Sequence, residues 1–160
     1  MVMRALALTL GLGLLTVSVG AQAAKTSSET SNPYIGTWLE DTQRTTYGPG
    51  QRPPLFNMHK WEAWEGDGLK CTILIVDADG TEHRGMYFLK FDGNWYPVIG
   101  EERRDAISAQ RIDEFTFQPS SRKGGVGGDA GGRHVFSEDG KTITLMSRDG
   151  QPGRVYKKVF

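Results

Sequence analysis

Arg154 and Tyr156, near the end of this 160-residue chain, are two residues whose types and spacing could bind a ligand. Residues two apart in a β-strand point to the same face, so the guanidinium and the phenol would lie side by side. Two donors that converge in this way can hold a carboxylate, because arginine offers a charge-assisted fork. The pair therefore predicts a binding site for the acidic head group of a small molecule.

Arg154 also has a structural interpretation. In a closed barrel the first and last strands are neighbours, and the guanidinium could then lie over the ring of Trp38 near the start of the chain. Such a cation–π contact contributes ~0.5–2 kcal/mol. The residues alone leave both interpretations open.

Aromatic residues along the chain could line a cavity for an apolar molecule, and Trp61, Tyr87 and Phe115 are our candidates for ligand contacts. Core filling is the competing role, since a small barrel is either packed with side chains or leaves room for one small ligand. Trp61 and Trp64 are three residues apart, so they face opposite sides of a strand. One of the two should lie on the outer surface or at a rim.

No catalytic constellation stands out, and we expect no enzymatic activity, no cofactor and no metal site. His59, His83 and His134 lack the local spacing of metal ligands, so they are expected at the surface or a rim. The chain has no Gly-x-Ser-x-Gly motif. The glycine-rich segment 124–132 lacks the Gly-Lys-Ser/Thr of a phosphate loop, and it predicts a pliable hairpin or flap instead.

Composition limits the possible partners. The chain has 19 basic and 19 acidic residues, and this balance argues against nucleic acid and anionic membranes as partners. Cys71 is the only cysteine, so an intramolecular disulfide is impossible. Because Cys71 lies in an apolar segment, we expect its side chain to be buried as a small hydrophobic group. We expect a monomer.

Residues 1–23 have the pattern of a secretory signal peptide, with Arg4, an uncharged apolar run and Ala21-Gln22-Ala23 as a small-x-small cleavage site. The apolar run of about 15 residues is shorter than the ~20 needed to span a bilayer. We therefore predict a periplasmic or secreted protein with no membrane span in the mature chain. A flexible tail is expected over 24–32, before a folded domain over 33–160.

The rest of the chain is typical of short strands joined by hairpin turns, with Asp-Gly pairs at 79–80, 92–93, 139–140 and 149–150. The first strand is expected from Tyr34 through Tyr47, and the Gly/Pro-rich 48–54 predicts a long loop. Nine or ten such strands, without a helix of more than a turn, predict an all-β fold. We expect an antiparallel up-and-down β-barrel of about 8–10 strands, with a sandwich as the alternative.

Gly36-Thr37-Trp38, the Asp-Gly turns and the closing Arg154-Val155-Tyr156 resemble the calycin superfamily of lipocalins and fatty-acid-binding-protein-like barrels. The segments DGLK, DADG, FDGNWYPV and SEDGKTIT are similar to small exported bacterial proteins with a lipocalin-like fold and no assigned activity. The resemblance implies that Gly36 and Trp38 close one end of a calyx and that the calyx holds a small apolar or amphipathic molecule. The alternative is a filled barrel that binds proteins or envelope components through its outer surface.

Overall fold

Turns divide residues 32–160, the part of the chain that the computed structural model describes, into eleven β-strands. The predicted signal peptide and residues 24–31 of the predicted tail lie outside the described residues. Since none of residues 32–160 is helical, no helix in this range could cross a bilayer.

The strands, numbered in chain order, are β1 Gly36–Glu40, β2 Phe56–Trp64, β3 Gly68–Val76, β4 Glu82–Leu89, β5 Tyr96–Ile99, β6 Ala106–Arg111, β7 Thr116–Lys123, β8 Val126–Ala130, β9 His134–Phe136, β10 Thr142–Met146 and β11 Pro152–Lys158.

Ten of these strands close into an antiparallel barrel. Their order is β6-β5-β4-β3-β2-β1-β11-β10-β9-β7, and β7 pairs with β6 to complete the ring. The eleventh, β8, extends from the ring as the second arm of a hairpin with β7. The all-β, antiparallel up-and-down barrel predicted from the sequence is confirmed, and the closed ring excludes a sandwich.

The ring closes where the first strand meets the last. Trp38 pairs with Lys158, and Glu40 pairs with Tyr156 across the β1–β11 seam. Beyond the end of β11, the backbone N–H of Thr37 donates to the carbonyl of Phe160 at 2.9 Å. The first and last strands therefore meet, as expected for a closed barrel.

The first strand was predicted over 34–47, but β1 covers only Gly36–Glu40. The chain then turns, with the N–H of Thr45 donating to the carbonyl of Asp41 at 3.0 Å. The Thr45 hydroxyl in turn accepts the N–H of Val155 at 3.0 Å. At this position of β11 a side-chain oxygen therefore accepts the hydrogen bond that a neighbouring strand would otherwise accept. The predicted loop over 48–54 is confirmed, since these residues form no strand.

The glycine-rich segment forms the predicted hairpin. Gly124 and Gly125, with φ of 57° and 79°, make the turn between β7 and β8. The sequence predicts a strand from Phe115 to Gln118, but β7 runs to Lys123, because β6 supplies partners as far as the pair Ala106–Arg122. Local composition does not reveal such a long-range ladder.

Aromatic side chains fill one end of the barrel. Tyr34 packs edge-on against Phe136 at 4.7 Å and against Phe117 at 5.6 Å between ring centroids. Trp38 is fully buried and contacts Phe136 edge-on at 5.5 Å. Each buried ring removes roughly 150–250 Å² from water, about 4–6 kcal/mol of gross stabilisation. This end of the barrel is closed by packing.

Gly36 lies beside this packed aromatic end, which we call the plug, and has a backbone conformation that residues with a side chain rarely adopt. Its φ is +147°, and a Cβ at this position would lie 2.8 Å from the carbonyl oxygen of Phe160. The missing side chain lets Lys158 cross this point, and its Nζ lies 5.2 Å from the Trp38 ring centroid. Glycine is therefore needed for the last strand to approach the first.

Gly36→Ala should lower the free energy of unfolding by about 1–3 kcal/mol, because it adds backbone strain and an overlap with the Phe160 carbonyl. Urea unfolding followed by tryptophan fluorescence measures this change. Gly48→Ala is the matched control, since a Cβ there would have its nearest contact at 3.5 Å, from the Gln51 side chain. Equal losses in the two variants would contradict the role of Gly36.

Candidate functional site

Strand β2 places three polar side chains in a row inside the barrel. Asn57, His59 and Trp61 alternate with outward residues and are only 3%, 8% and 1% exposed. Residues i, i+2 and i+4 of a strand share a face, so an amide, an imidazole and an indole N–H line one inner wall. We call these three residues the inner row.

Two atoms of the inner row have no hydrogen-bond partner among residues 32–160, namely Asn57 Oδ1 and Trp61 Nε1. Nearly all buried polar groups in proteins are paired, and leaving one unpaired costs about 1–3 kcal/mol. One of these atoms is an acceptor and the other is a donor. The inner row therefore offers both kinds of hydrogen-bonding group to a molecule inside the barrel.

Two imidazoles belong to the same interior. His59 Nε2 lies 3.4 Å from the hydroxyl oxygen of Tyr156. His134 on β9 shares a face with the core residue Phe136, and its ring lies tilted against Phe117 with 4.6 Å between ring centroids. Burial is the main cause that lowers the pKa of both histidines to about 3; positive charge nearby, His134 and then Arg104 for His59 and Arg104 for His134, also contributes. Both rings are neutral at pH 7, so each can donate one hydrogen bond and accept another.

The expectation of a surface or rim histidine is wrong for His59, which is buried, whereas His134 is half-buried. His59 lies between Asn57 and Trp61 on the inner face of β2. Because Asn and His are polar, the usual alternation of apolar and polar residues did not identify this face as the inner one. His83 is exposed, with Nε2 2.9 Å from a carboxyl oxygen of Asp77. Among the described residues, no three His, Cys, Asp or Glu converge as metal ligands would.

Arg154 and Tyr156 lie on the inner face of β11, as their spacing predicted, and Glu40 lies against them. The Glu40 side chain is 1% exposed, and its Oε2 is 3.8 Å from Nη1 of Arg154. The amide of Asn57 donates to the same oxygen at 2.6 Å, and the hydroxyl of Tyr47 donates to Oε1 at 2.7 Å. A carboxyl group of the chain itself thus takes the place that we predicted for the head group of a ligand.

Sequence reasoning missed Glu40. The residue is two positions after Trp38 on the same strand face, and the register Glu40–Tyr156 brings it to the arginine. Burial, and next the negative charge of Glu40, raise the pKa of Tyr156 to about 12, so its hydroxyl stays protonated. An acidic ligand here would place a second negative charge next to Glu40, which is unfavourable.

The structural interpretation of Arg154 is wrong in its detail. The cation over the Trp38 ring is Lys158, the residue that pairs with Trp38 across the seam. The side chain of Arg154 is 43% exposed and lies at the Glu40 end of the seam. A cation–π contact is present at the plug, but a different residue supplies it.

The aromatic candidates occupy different places. Trp61 and Tyr87 are both 1% exposed and pack edge-on inside the barrel at 5.6 Å. Phe115 is partly buried and packs on the edge of the core. Trp64 lies outside against Phe88 at 4.8 Å, which confirms that it faces away from Trp61.

A charged pair covers the wall next to Tyr87. Nε and Nη2 of Arg104 each donate to one carboxyl oxygen of Glu101 at 2.7 Å, and the guanidinium lies 5.1 Å from the Tyr87 ring centroid. Beneath it Cys71 is fully buried, as predicted. The run of charged residues at 101–105 predicts a solvated cluster in a connection, but the Arg104 and Glu101 side chains are each only 24% exposed.

Acid should destabilise the protein through His59 and His134. Their pKa is about 3 in the folded chain and near 6.5 when unfolded, so below pH 6.5 the unfolded chain binds protons that the folded chain does not. Stability present at pH 7 is therefore lost progressively between pH 6.5 and 3. Each histidine contributes up to about 1.4 kcal/mol per pH unit.

Urea unfolding of the protein between pH 7.5 and 5 measures this slope. His59→Gln and His134→Gln should each reduce the slope of the free energy of unfolding against pH by about half. His83→Gln, which changes an exposed imidazole, should leave it intact. A free energy of unfolding that is flat from pH 7 to 5 would contradict the assignment.

Cys71 should resist alkylation in the folded protein. Burial raises the pKa of its thiol to about 12, so on the order of 10⁻⁴ of the thiol is ionised at pH 8, and the thiolate is the reactive form. Iodoacetamide labelling followed by mass spectrometry should show an unmodified native chain and a fully modified unfolded chain. Similar labelling rates in the two states would argue against burial.

Comparison of the chain with protein-family models, with curated proteins and with solved structures finds no match. The lipocalin-like resemblance therefore stays a prediction from Gly36-Thr37-Trp38 and the motifs that follow it. Any function must be argued from the geometry of the barrel.

Proposed function

We propose that this protein is an exported, lipocalin-like binding barrel that holds a small amphipathic molecule in its interior. The observation that supports this proposal is the inner row, where Asn57 Oδ1 and Trp61 Nε1 are buried without a hydrogen-bond partner among the described residues. Binding sites for small molecules are mostly apolar and use a few placed polar groups for orientation. The aromatic interior combined with the inner row has this composition.

The head group of the ligand is neutral in this proposal, not acidic as the Arg154–Tyr156 pair first predicts. Glu40 already accepts the hydrogen bond of Asn57 and pairs with Arg154, so a second anion is unfavourable there. A hydroxyl or an amide can both donate to Asn57 Oδ1 and accept from a neutral imidazole or from Trp61 Nε1.

The shape of the ligand follows from the spacing of the row. Asn57 and Trp61 are four residues apart, which is ~13 Å along a strand. One molecule that reaches both must extend parallel to β2. Along that path it would contact Tyr87 and Phe117, whose rings lie 5.6 Å and 5.7 Å from the Trp61 ring. An elongated molecule with a polar end and an apolar body fits these contacts best.

We assign binding and not catalysis to this interior. The two buried imidazoles have pKa values of about 3, and such weak bases are poorly matched to proton transfer at neutral pH. Tyr156 and Cys71 have pKa values raised to about 12, which keeps both groups protonated.

A filled barrel that binds partners through its outside is the second candidate, and an aromatic cluster on the outer face favours it. Trp64 contacts Phe88 at 4.8 Å and Tyr96 at 5.7 Å, and Lys90 lies 5.2 Å from the Trp64 ring. Ile99 on the neighbouring strand is 51% exposed. Exposed apolar patches of this kind occur at protein interfaces.

Titration with dodecanol and dodecanoic acid, followed by tryptophan fluorescence, tests the interior site. These compounds share one chain and differ in the head group, and we expect the alcohol to bind at least about tenfold more tightly than the acid, a difference of about 1.4 kcal/mol. A tighter acid would restore the Arg154–Tyr156 site. Binding of neither compound would favour the filled barrel.

Trp61→Phe and Trp64→Phe form a matched pair of variants on the same strand. The first removes the buried indole N–H while keeping an aromatic ring, so dodecanol affinity should fall about 5- to 30-fold. The second changes only the outer cluster and should leave the affinity unchanged. Equal effects of the two variants would place the ligand elsewhere.

A further inference from the structure

A groove of about 330 Å³ lies outside the barrel, against the outer face of β6 and β7. Its floor is a square of four polar residues, since Ser108 pairs with Ser120 and Gln110 pairs with Gln118 across the two strands. Directly opposed residues of an antiparallel pair point to the same face. The ring of Trp95 forms one wall.

Trp95 and β8 also line this groove. The guanidinium of Arg122 lies 4.4 Å from the Trp95 ring centroid and holds the indole in place. A Cβ at Gly128 of β8 would lie 3.4 Å from the Trp95 ring, so a glycine lets this arm approach the indole. Ser108 faces outward by alternation, yet it is only 7% exposed. The groove is therefore a partly enclosed site and not an open sheet surface.

The floor carries hydrogen-bonding groups that the described chain does not use. Among the residues whose side chains the structure describes, the side chains of Ser108, Gln110 and Ser120 have no hydrogen-bond partner, and Ser108 is more than nine-tenths buried. Gln118 donates through Nε2 to the carbonyl of Gly131 at 3.0 Å, which fixes the orientation of its amide. Hydroxyls and amides both donate and accept, and the described residues that line the groove bear no charge.

We propose that this groove binds a neutral saccharide. A sugar ring presents hydroxyls at its edge, which match the two serines and two glutamines, and a C–H face, which packs on the negative face of an aromatic ring. The cation beside the floor, Arg122, lies over the Trp95 ring, and the floor itself carries no charged side chain that would bind an anionic ligand. An apolar ligand would bury the polar groups of the floor without hydrogen bonds. The volume is at the lower end of ligand sites, about 300–1,000 Å³, and suits one or two sugar rings.

This site is independent of the interior. Its floor residues point away from the barrel axis, whereas the inner row points toward it. It also gives a role to β8, the one described strand that barrel closure does not use. The hairpin arm brings Gly128 to the indole and lines the groove beside β7.

Titration of the ¹⁵N-labelled protein with glucose, galactose, mannose, N-acetylglucosamine and their disaccharides tests the proposal by backbone amide NMR. At least one saccharide should give saturable shifts, with a Kd of about 1 mM or tighter, confined to residues 93–95, 108–110, 118–120 and 128–130. No saturable shift with any of these saccharides would overturn the proposal. Shifts confined to 57–61 would place the sugar in the interior and would also overturn it.

Two variants and one control separate the groove from general effects on folding. Trp95→Ala removes the wall, and Gln110→Leu removes an exposed amide that the fold does not use; each should weaken saccharide binding at least about tenfold. Gln43→Leu changes an exposed amide in a distant turn and should have no effect. If Trp95→Ala fails to fold, Gln110→Leu alone decides, and unchanged affinity in that variant contradicts the proposal.

Discussion

The pairing of β1 with β11 is the constraint on which the barrel and its interior depend. β1 has only five residues, yet it pairs with β2 on one edge and with β11 on the other. It also supplies Trp38 to the plug and Glu40 to the opposite end of the seam. Without this short strand the sheet would have two open edges, and the inner face of β2 would be exposed to water.

Glu40 shows how the seam sets the chemistry of the interior. A buried carboxylate is costly unless it is paired and hydrogen-bonded, and this one is held by Arg154, Asn57 and Tyr47. Each of these partners is thereby committed to the fold. Asn57 uses its amide N–H group on Glu40 and keeps Oδ1 unpaired. The internal acid thus lies beside Arg154, where a ligand head group was predicted, and leaves Asn57 Oδ1 unpaired.

Local sequence predicted most of the strands, because Asp-Gly turns and β-branched runs act over a few residues. The sequence predicts strands over 55–65, 69–76 and 81–91, and β2, β3 and β4 lie within one or two residues of these bounds. β1 and β7 were misjudged, since Thr45 ends one through a contact with Val155, and β6 extends the other through pairing. The inward placement of His59 and Glu40 likewise depends on register, which a single strand does not encode in its composition.

Both proposed sites contain polar side chains that the described fold does not use: Asn57 Oδ1 and Trp61 Nε1 are buried without a partner, and Ser108 and Ser120 face the groove. A sequence optimised for stability alone would place an apolar side chain at Asn57, because an unpaired buried polar group costs free energy while a methyl group gains it. The other buried side-chain polar atoms of the described residues have hydrogen-bond partners, and the aromatic end of the barrel is closely packed. Local departures from such consistency are where functional sites are expected. The inner row and the β6–β7 floor are two such departures on opposite sides of one wall, so one small barrel can present an internal and an external binding surface.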